Sequence, residues 1–253
     1  MRYQFRPILK RERKSLIFRM NCFENNVTFA VHNILREKMK SRLAVILALL
    51  TVTGCSVNRN IYTIKGSFEE CNEPMVWLVS GNEAVDSTQI TDGTFTFNGT
   101  VDSPIIAYIC TAPDRSIAEF ECEFILEPGR LAMSRLYDTE VYIMEGSTLN
   151  NRLAALEKRS IDMVKEYALN KANFMDNFEK EINRQWNLLL TSNLDANTDN
   201  IFGLYCLREL SYEDLEPEEI IKYLNLFPDT LKENSLWKSL HESYSESSEN
   251  LTD

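Results

Sequence analysis

Residues 92–99 read Asp92-Gly93-Thr94-Phe95-Thr96-Phe97-Asn98-Gly99, a two-residue turn signal followed by strict alternation of polar and aromatic side chains. Asp-Gly accommodates the positive φ angles of a tight hairpin turn. Period-two alternation puts Phe95 and Phe97 on one face of a half-buried strand. The same kind of pattern extends in both directions. Upstream lie Ile61 to Ile64, stopping near Gly66, then Met75 to Val79, then Val85 to Ile90 leading into the turn. Downstream come Ile105 to Cys110, Phe120 to Leu126 closed by Pro128-Gly129, Leu131 to Leu136, and Val141 to Met144. About eight short runs at turn spacing predict an antiparallel β-sandwich or open barrel over residues 61–145. No ten-residue helical pattern interrupts them, which argues against a parallel α/β sheet.

After Gly146 the period changes, with Ser147 placed as an N-cap. Leu149, Leu153, Leu156, Val164, Tyr167, Phe174, Phe178, Ile182, Trp186 and Leu189 recur at spacings near 3.6, without Gly or Pro, up to about Leu190. One helix of that length would run about 65 Å. A helical hairpin broken near Asn170-Lys171-Ala172-Asn173 is the compact alternative. Shorter helices are predicted at Asn200 to Leu210, at Glu218 to Phe227 after Pro217, and from Asp229 to about Tyr244. The fold class expected is therefore α+β, with a β-domain at 61–145, a helical region at 146–244 and a frayed polar tail at 245–253.

The N-terminal part reads as an address. Met39 to Cys55 is MKSRLAVILALLTVTGC, a short basic flank, an apolar run and small residues before a cysteine. The run is too short to span a bilayer and fits a signal peptide at 39–54. Its ending resembles the lipobox of bacterial lipoproteins, which makes Cys55 the expected lipid attachment site and 55–60 a short tether. Residues 1–38, with nine Lys/Arg against three Asp/Glu, are expected to be an upstream extension before the true start at Met39. Two or more acyl chains anchor a protein stably. The expectation is a body held by its lipid at the cell envelope, on the outer membrane facing the periplasm.

Charge narrows the function classes. The chain carries a net −11 overall, but residues 1–54 carry eleven Lys/Arg against three Asp/Glu, and residues 55–253 carry sixteen against thirty-five, a balance of −19. A body that acidic is a poor fit for a phosphate backbone, so no nucleic-acid partner is expected. The two histidines are His32 and His241, and only His241 lies in the body. That excludes a multi-His zinc site. No Walker loop or dinucleotide fingerprint is present. No cofactor, no metal and no catalytic residue are expected.

Several groups remain as candidates. Cys71, Cys110, Cys122 and Cys206 allow three full pairings, and Cys110 and Cys122, on successive strands, could bridge if directly opposed. Against that, free cysteines commonly pack as small hydrophobes. Glu119, Glu121 and Glu123 share one strand face, readable as a cation site or glycosidase acids, or as the solvated face of a charged edge strand. Trp77, Phe95, Phe97 and Tyr108 are candidate partner-binding aromatics, although alternating aromatics usually serve the core.

The strings Ile64-Lys65-Gly66, Trp77-Leu78, Val85-Asp86-Ser87, Asp92 to Gly99, Phe124 to Gly129 and Glu145-Gly146-Ser147 together resemble a domain of unknown function. That domain is found at the N-terminus of thiol-disulfide oxidoreductase lipoproteins of gut anaerobes. Asn197 to Tyr205 and Leu226 to Lys232 resemble the linker helices that follow it there. The resemblance implies a β-domain with helices and, in the relatives, a thioredoxin-like domain beyond. A thioredoxin site needs Cys-x-x-Cys, and this sequence has none, so no catalytic residue carries over. Three readings follow. The first is a non-catalytic lipoprotein module that docks a protein partner or dimerises. The second is an oxidoreductase truncated of its thioredoxin domain. The third is a small-ligand or glycan-binding β-domain.

Overall fold

The computed structural model describes residues 60–68, 71, 73–136, 139–170, 178–212 and 215–249. The lipid site Cys55 and the signal segment lie outside these residues. Eight strands form: β1 (Ile61–Ser67), β2 (Met75–Ser80), β3 (Glu83–Gln89), β4 (Thr94–Thr100), β5 (Ile105–Cys110), β6 (Glu121–Leu126), β7 (Gly129–Arg135) and β8 (Tyr142–Glu145). They make two four-stranded sheets, β4-β1-β7-β8 and β3-β2-β5-β6, an open sandwich and not a closed barrel. Phe95 and Phe97 point between the sheets and are buried, packed with Tyr62, Ile64, Leu78 and Phe124. Alternation thus does what the sequence predicts for β4: one face of the strand builds the shared core, whereas β3 contributes no buried residue.

Two features depart from a simple meander. The Asp92-Gly93 turn forms, with φ of 51° and 73° and paired main-chain bonds between Thr91 and Thr94 at 2.8 and 3.0 Å. It does not join partner strands. β3 pairs with β2 and β4 with β1, so the turn carries the chain from one sheet to the other. Nor is every pair antiparallel: β1 runs parallel to β7, with Tyr62 opposite Gly129 and Ile64 opposite Leu131. The crossing at Pro128-Gly129, where Gly129 takes a φ of 140°, delivers β7 to the opposite sheet in that direction.

Helices follow: α1 (Thr148–Asn170), α2 (Phe178–Asp195), α3 (Ile201–Ser211), α4 (Pro217–Leu224), α5 (Asp229–Lys232) and α6 (Ser235–Glu249). Ser147 does cap α1, its hydroxyl accepting the Asn150 N–H at 3.2 Å. The described part of the long helical pattern comprises α1 and α2, and Lys171, Ala172 and Asn173 of the expected break lie outside the described residues. Leu153 and Leu156, early in α1, share a core with Leu190 and Leu194, late in α2, as an antiparallel pair requires. The run from Asp229 likewise divides at Asn234, whose side chain caps α6 by accepting the Leu236 N–H at 2.9 Å. Helix α3 is the centre of this half: Ile201 to Leu207 are all buried. Among the described residues no helix is long and apolar enough to cross a membrane.

The two halves share their apolar surfaces. Ile125 of β6 points away from the sandwich core and belongs to the helical cluster. Helix α1 lies against both β6 and β8, where the two sheets meet edge to edge. On its β8 side Ala154 is buried with Ile143, and Ile161 packs beside them.

Candidate functional site: the charged contact between sheet and helix

A dense polar cluster lies where the outer face of β5 and β6 meets helix α3. On β6, Glu121, Glu123 and Ile125 face outward while Cys122, Phe124 and Leu126 face the core. On β5 the outward set includes Tyr108, opposite Glu123 in the ladder. Arg208, one turn from the end of α3, reaches across to both.

Arg208 Nη1 lies 2.7 Å from Glu123 Oε1 and Nη2 lies 2.6 Å from Glu209 Oε1. Its side chain is 12% exposed and that of Glu123 27%. The Tyr108 hydroxyl donates to Glu123 Oε1 and accepts from Arg208 at 3.4 Å. A second cation covers the same ring, with the Arg115 guanidinium 3.2 Å from the Tyr108 centroid. Arg115 also pairs with Glu121 at 3.2 Å. The short 3-10 turn Arg115–Ile117, capped by the Asp114 carboxylate, holds that arginine in place.

The electrostatics follow from this geometry. Burial by itself would raise the Glu123 carboxyl; the Arg208 charge and its hydrogen bond, with that of Tyr108, outweigh it and hold the group below its usual range. Burial pushes the Tyr108 phenol far up, and the Glu123 carboxylate adds to the shift. For Arg208, burial works against its charge, and Glu123 and Glu209 more than restore it. The three glutamates therefore do not make a solvated face. Glu121 is exposed and Glu123 is packed under α3. Among the described residues no three His, Cys, Asp or Glu side chains converge as metal ligands.

The other candidates are dispersed. Phe95 and Phe97 are core, and Tyr108 is buried beneath Arg115 and Arg208. Trp77 packs, half-buried, beside Val79, Tyr108 and Cys110. Cys110 and Cys122 are not opposed: the ladder sets Ile109 against Cys122 and Cys110 against Glu121. One residue of offset sends the thiols to opposite faces, and both are free. Cys122 lies in the sandwich core and Cys110 in the outer cluster. Burial, the leading cause, pushes Cys110 and Cys206 up to about 12 and Cys122 well up. His241 stacks on Trp237, ring centroids 4.7 Å apart.

Sequence reasoning missed Arg208 and Asn150. Asn150 is fully buried, and its amide binds the main chain of β6 at Ile125. An interior amide in the first turn of an amphipathic helix was the available signal. Arg208 carried none, because its partners on the sheet, Glu123 and Tyr108, are 85 and 100 residues away.

The fold and this contact define an α+β protein whose sandwich is closed along one side by a helix. Residues 62–153 match the sequence profile of a domain of unknown function (DUF4369). The match runs from the second residue of β1 through β8 and stops just inside α1, past Asn150. No curated protein and no solved structure matches the chain.

Proposed function

We propose that the chain is a non-catalytic lipoprotein of the cell envelope, anchored through acyl chains on Cys55 to the outer membrane and facing the periplasm. Its body serves as a protein-docking or dimerisation module related to the N-terminal part of thiol-disulfide oxidoreductases. The observation that carries this reading is the Arg208 cluster. Charged groups that a catalytic site would aim at a substrate are instead bound to one another across β5, β6 and α3. The buried thiols add support, because a thiol pushed up towards 12 is a poor nucleophile at neutral pH.

Two measurements test it. Intact mass of the chain extracted from its membrane should give a polypeptide starting at Cys55 with lipid attached; an unlipidated chain overturns the anchor. Affinity capture from solubilised envelope with the anchored protein as bait should retain a specific partner or a second copy. Capture of neither, or turnover in a thiol–disulfide exchange assay, overturns the docking role.

A further inference from the structure

The sandwich has four strand edges, β3, β4, β6 and β8. An edge strand offers unpaired main-chain groups to any other chain, and folded proteins guard such edges. Three of these four are guarded, each differently. Asn150 occupies the Ile125 main-chain groups on β6. β8 is four residues long and lies under α1. β3 carries Glu83 and Asp86 and is bulged at Val85, since Leu78 opposes Asp86 while Val79 opposes Ala84.

Among the described residues, β4 has none of these devices. It is seven residues long, uncharged, free of proline and in unbroken register with β1 from Ser67↔Thr94 to Ile61↔Thr100. The Val101 N–H donates to the Asn60 C=O at 2.9 Å, which fixes the direction of the ladder. Odd-numbered residues turn their main chain to β1, and even-numbered ones turn it outward. The outward groups of Thr94 are taken by Thr91. Those of Thr96, Asn98 and Thr100 face away from the sheet, and the side chains of all three are exposed.

The surroundings of this edge are acidic. Asp92 and Asp102 stand just beyond its two ends, both exposed. β3, which the turn joins to β4 and which lies in contact with it, carries Glu83 and Asp86. The Tyr62 ring lies over Gly99, the last residue but one of β4. Asp86 stands opposite the core residue Leu78 in the ladder, on the face of β3 turned towards the other sheet, and after burial its carboxylate helps push the Tyr62 phenol up. Among the described residues of β1, β3, β4 and the turn between β3 and β4, Lys65, opposite Thr96, is the one cation against the four carboxylates.

We infer that the β4 edge receives an extended, basic segment of another protein, added as a further strand through Thr96, Asn98 and Thr100. Strand addition takes its affinity from main-chain bonds and its selectivity from alternate side chains. Basic residues at every second position would present one cationic face to the surrounding carboxylates. A second copy of this chain fits less well, because it would bring the same carboxylates and another strongly acidic body. The inference rests on the docking reading above and names its seat.

The test uses the full chain and an eleven-residue peptide of alternating lysine and threonine, with a glutamate–threonine peptide as control. Amide exchange is read residue by residue by NMR. The lysine peptide should slow exchange at Thr96, Asn98 and Thr100 about tenfold, and raised salt should remove the effect. Asn98→Pro deletes an outward N–H while leaving the β1 ladder intact, and should weaken the peptide about threefold to tenfold. If that variant fails to fold, Asp86→Asn with Asp92→Asn and Asp102→Asn should weaken it instead. No protection by the lysine peptide, or equal protection by both peptides, overturns the inference. So does protection without peptide that grows with protein concentration, which would put a second copy on the edge. Capture of an envelope partner equally well by the wild type and Asn98→Pro overturns the seat and leaves the docking role standing; loss of capture with Asn98→Pro supports both.

Discussion

The side-chain amide of Asn150 binds both main-chain groups of Ile125: the Ile125 N–H donates to Asn150 Oδ1 at 3.0 Å, and Asn150 Nδ2 donates to the Ile125 C=O at 2.7 Å. One side chain thus imitates a neighbouring strand on the outer edge of β6. It also ties the first turn of α1 to the sandwich, beside Leu153 and Leu156 in the helical core.

Asn150→Ala should therefore be costly. It leaves a donor and an acceptor unpaired in a place with no solvent, at about 1–3 kcal/mol for each group. We expect a loss of about 2–4 kcal/mol in urea unfolding of the full chain. Asn150→Asp should not rescue it, since a carboxylate accepts from the N–H but faces the carbonyl oxygen without a proton to give. A midpoint unchanged from wild type in either variant would show that α1 does not close this edge.

The Arg208–Glu123 pair predicts a pH dependence with a definite sign. Arg208 holds the folded Glu123 carboxyl below its unfolded value, which is about 4.3. Its stabilisation is complete above that value and disappears as pH falls through the folded one. Glu123→Gln should cost about 2–3 kcal/mol at neutral pH, as a buried charged partner is lost. The difference from wild type should shrink steadily below about pH 4.3. The double variant Arg208→Met with Glu123→Met should cost less than the two single changes added together, because neither charge is then left alone. Additive losses, or a difference that does not depend on pH, would contradict the pairing.

The sequence made the eight strands and the helical half legible because both rest on local period: Phe95 and Phe97 alternate, and Leu149 to Leu189 recur at helical spacing. Ser147 was readable for the same reason, as it caps the helix just after it. What failed were the facts set by distant contacts. Asp92-Gly93 reads as a hairpin, and the turn is there, but strand pairing is decided by which sheet buries each apolar face. Glu123 reads as solvated because Arg208 is 85 residues away. Cys110 and Cys122 sit on adjacent strands, and a register of one residue separates them.

The four described thiols should divide by reactivity. Cys71 is half-buried, whereas Cys110, Cys122 and Cys206 are buried. In the native protein at pH 8, iodoacetamide should label Cys71 and spare the other three; all four should label in urea, as read by peptide mass mapping. Alkali provides a second readout. The buried thiols ionise at lower pH once unfolded, near 8.5, than in the folded state, where Cys110 and Cys206 are held up to about 12. Their contribution is full below about 8.5 and is lost as pH rises towards the folded values. Rapid native labelling of Cys110 or Cys206 would reopen a redox role.

Gly203 offers a test in which two principles predict opposite signs. It sits in the first turn of α3, after the Asn200 cap, whose side chain accepts the Phe202 N–H. Helix propensity favours alanine over glycine inside a helix by about 1 kcal/mol. The structure leaves no room for it. A methyl group on Gly203 would run into the main-chain carbonyl of Asn197 and crowd the Phe227 ring. The Asn197 backbone cannot move aside cheaply. Its N–H donates to the Leu194 C=O at 3.0 Å, and its side chain donates to the Asn193 C=O at 2.8 Å and accepts from Arg152. Overpacking of this kind costs about 1–3 kcal/mol, so Gly203→Ala should lower the unfolding free energy in urea despite its better propensity. Because α3 carries Arg208 to the sheet, the same variant should also weaken the coupling between Arg208 and Glu123 in the double-variant comparison. A stabilised Gly203→Ala protein would mean that α3 does not approach Asn197 this closely, and the seating of the helical half on the sandwich would have to be redrawn.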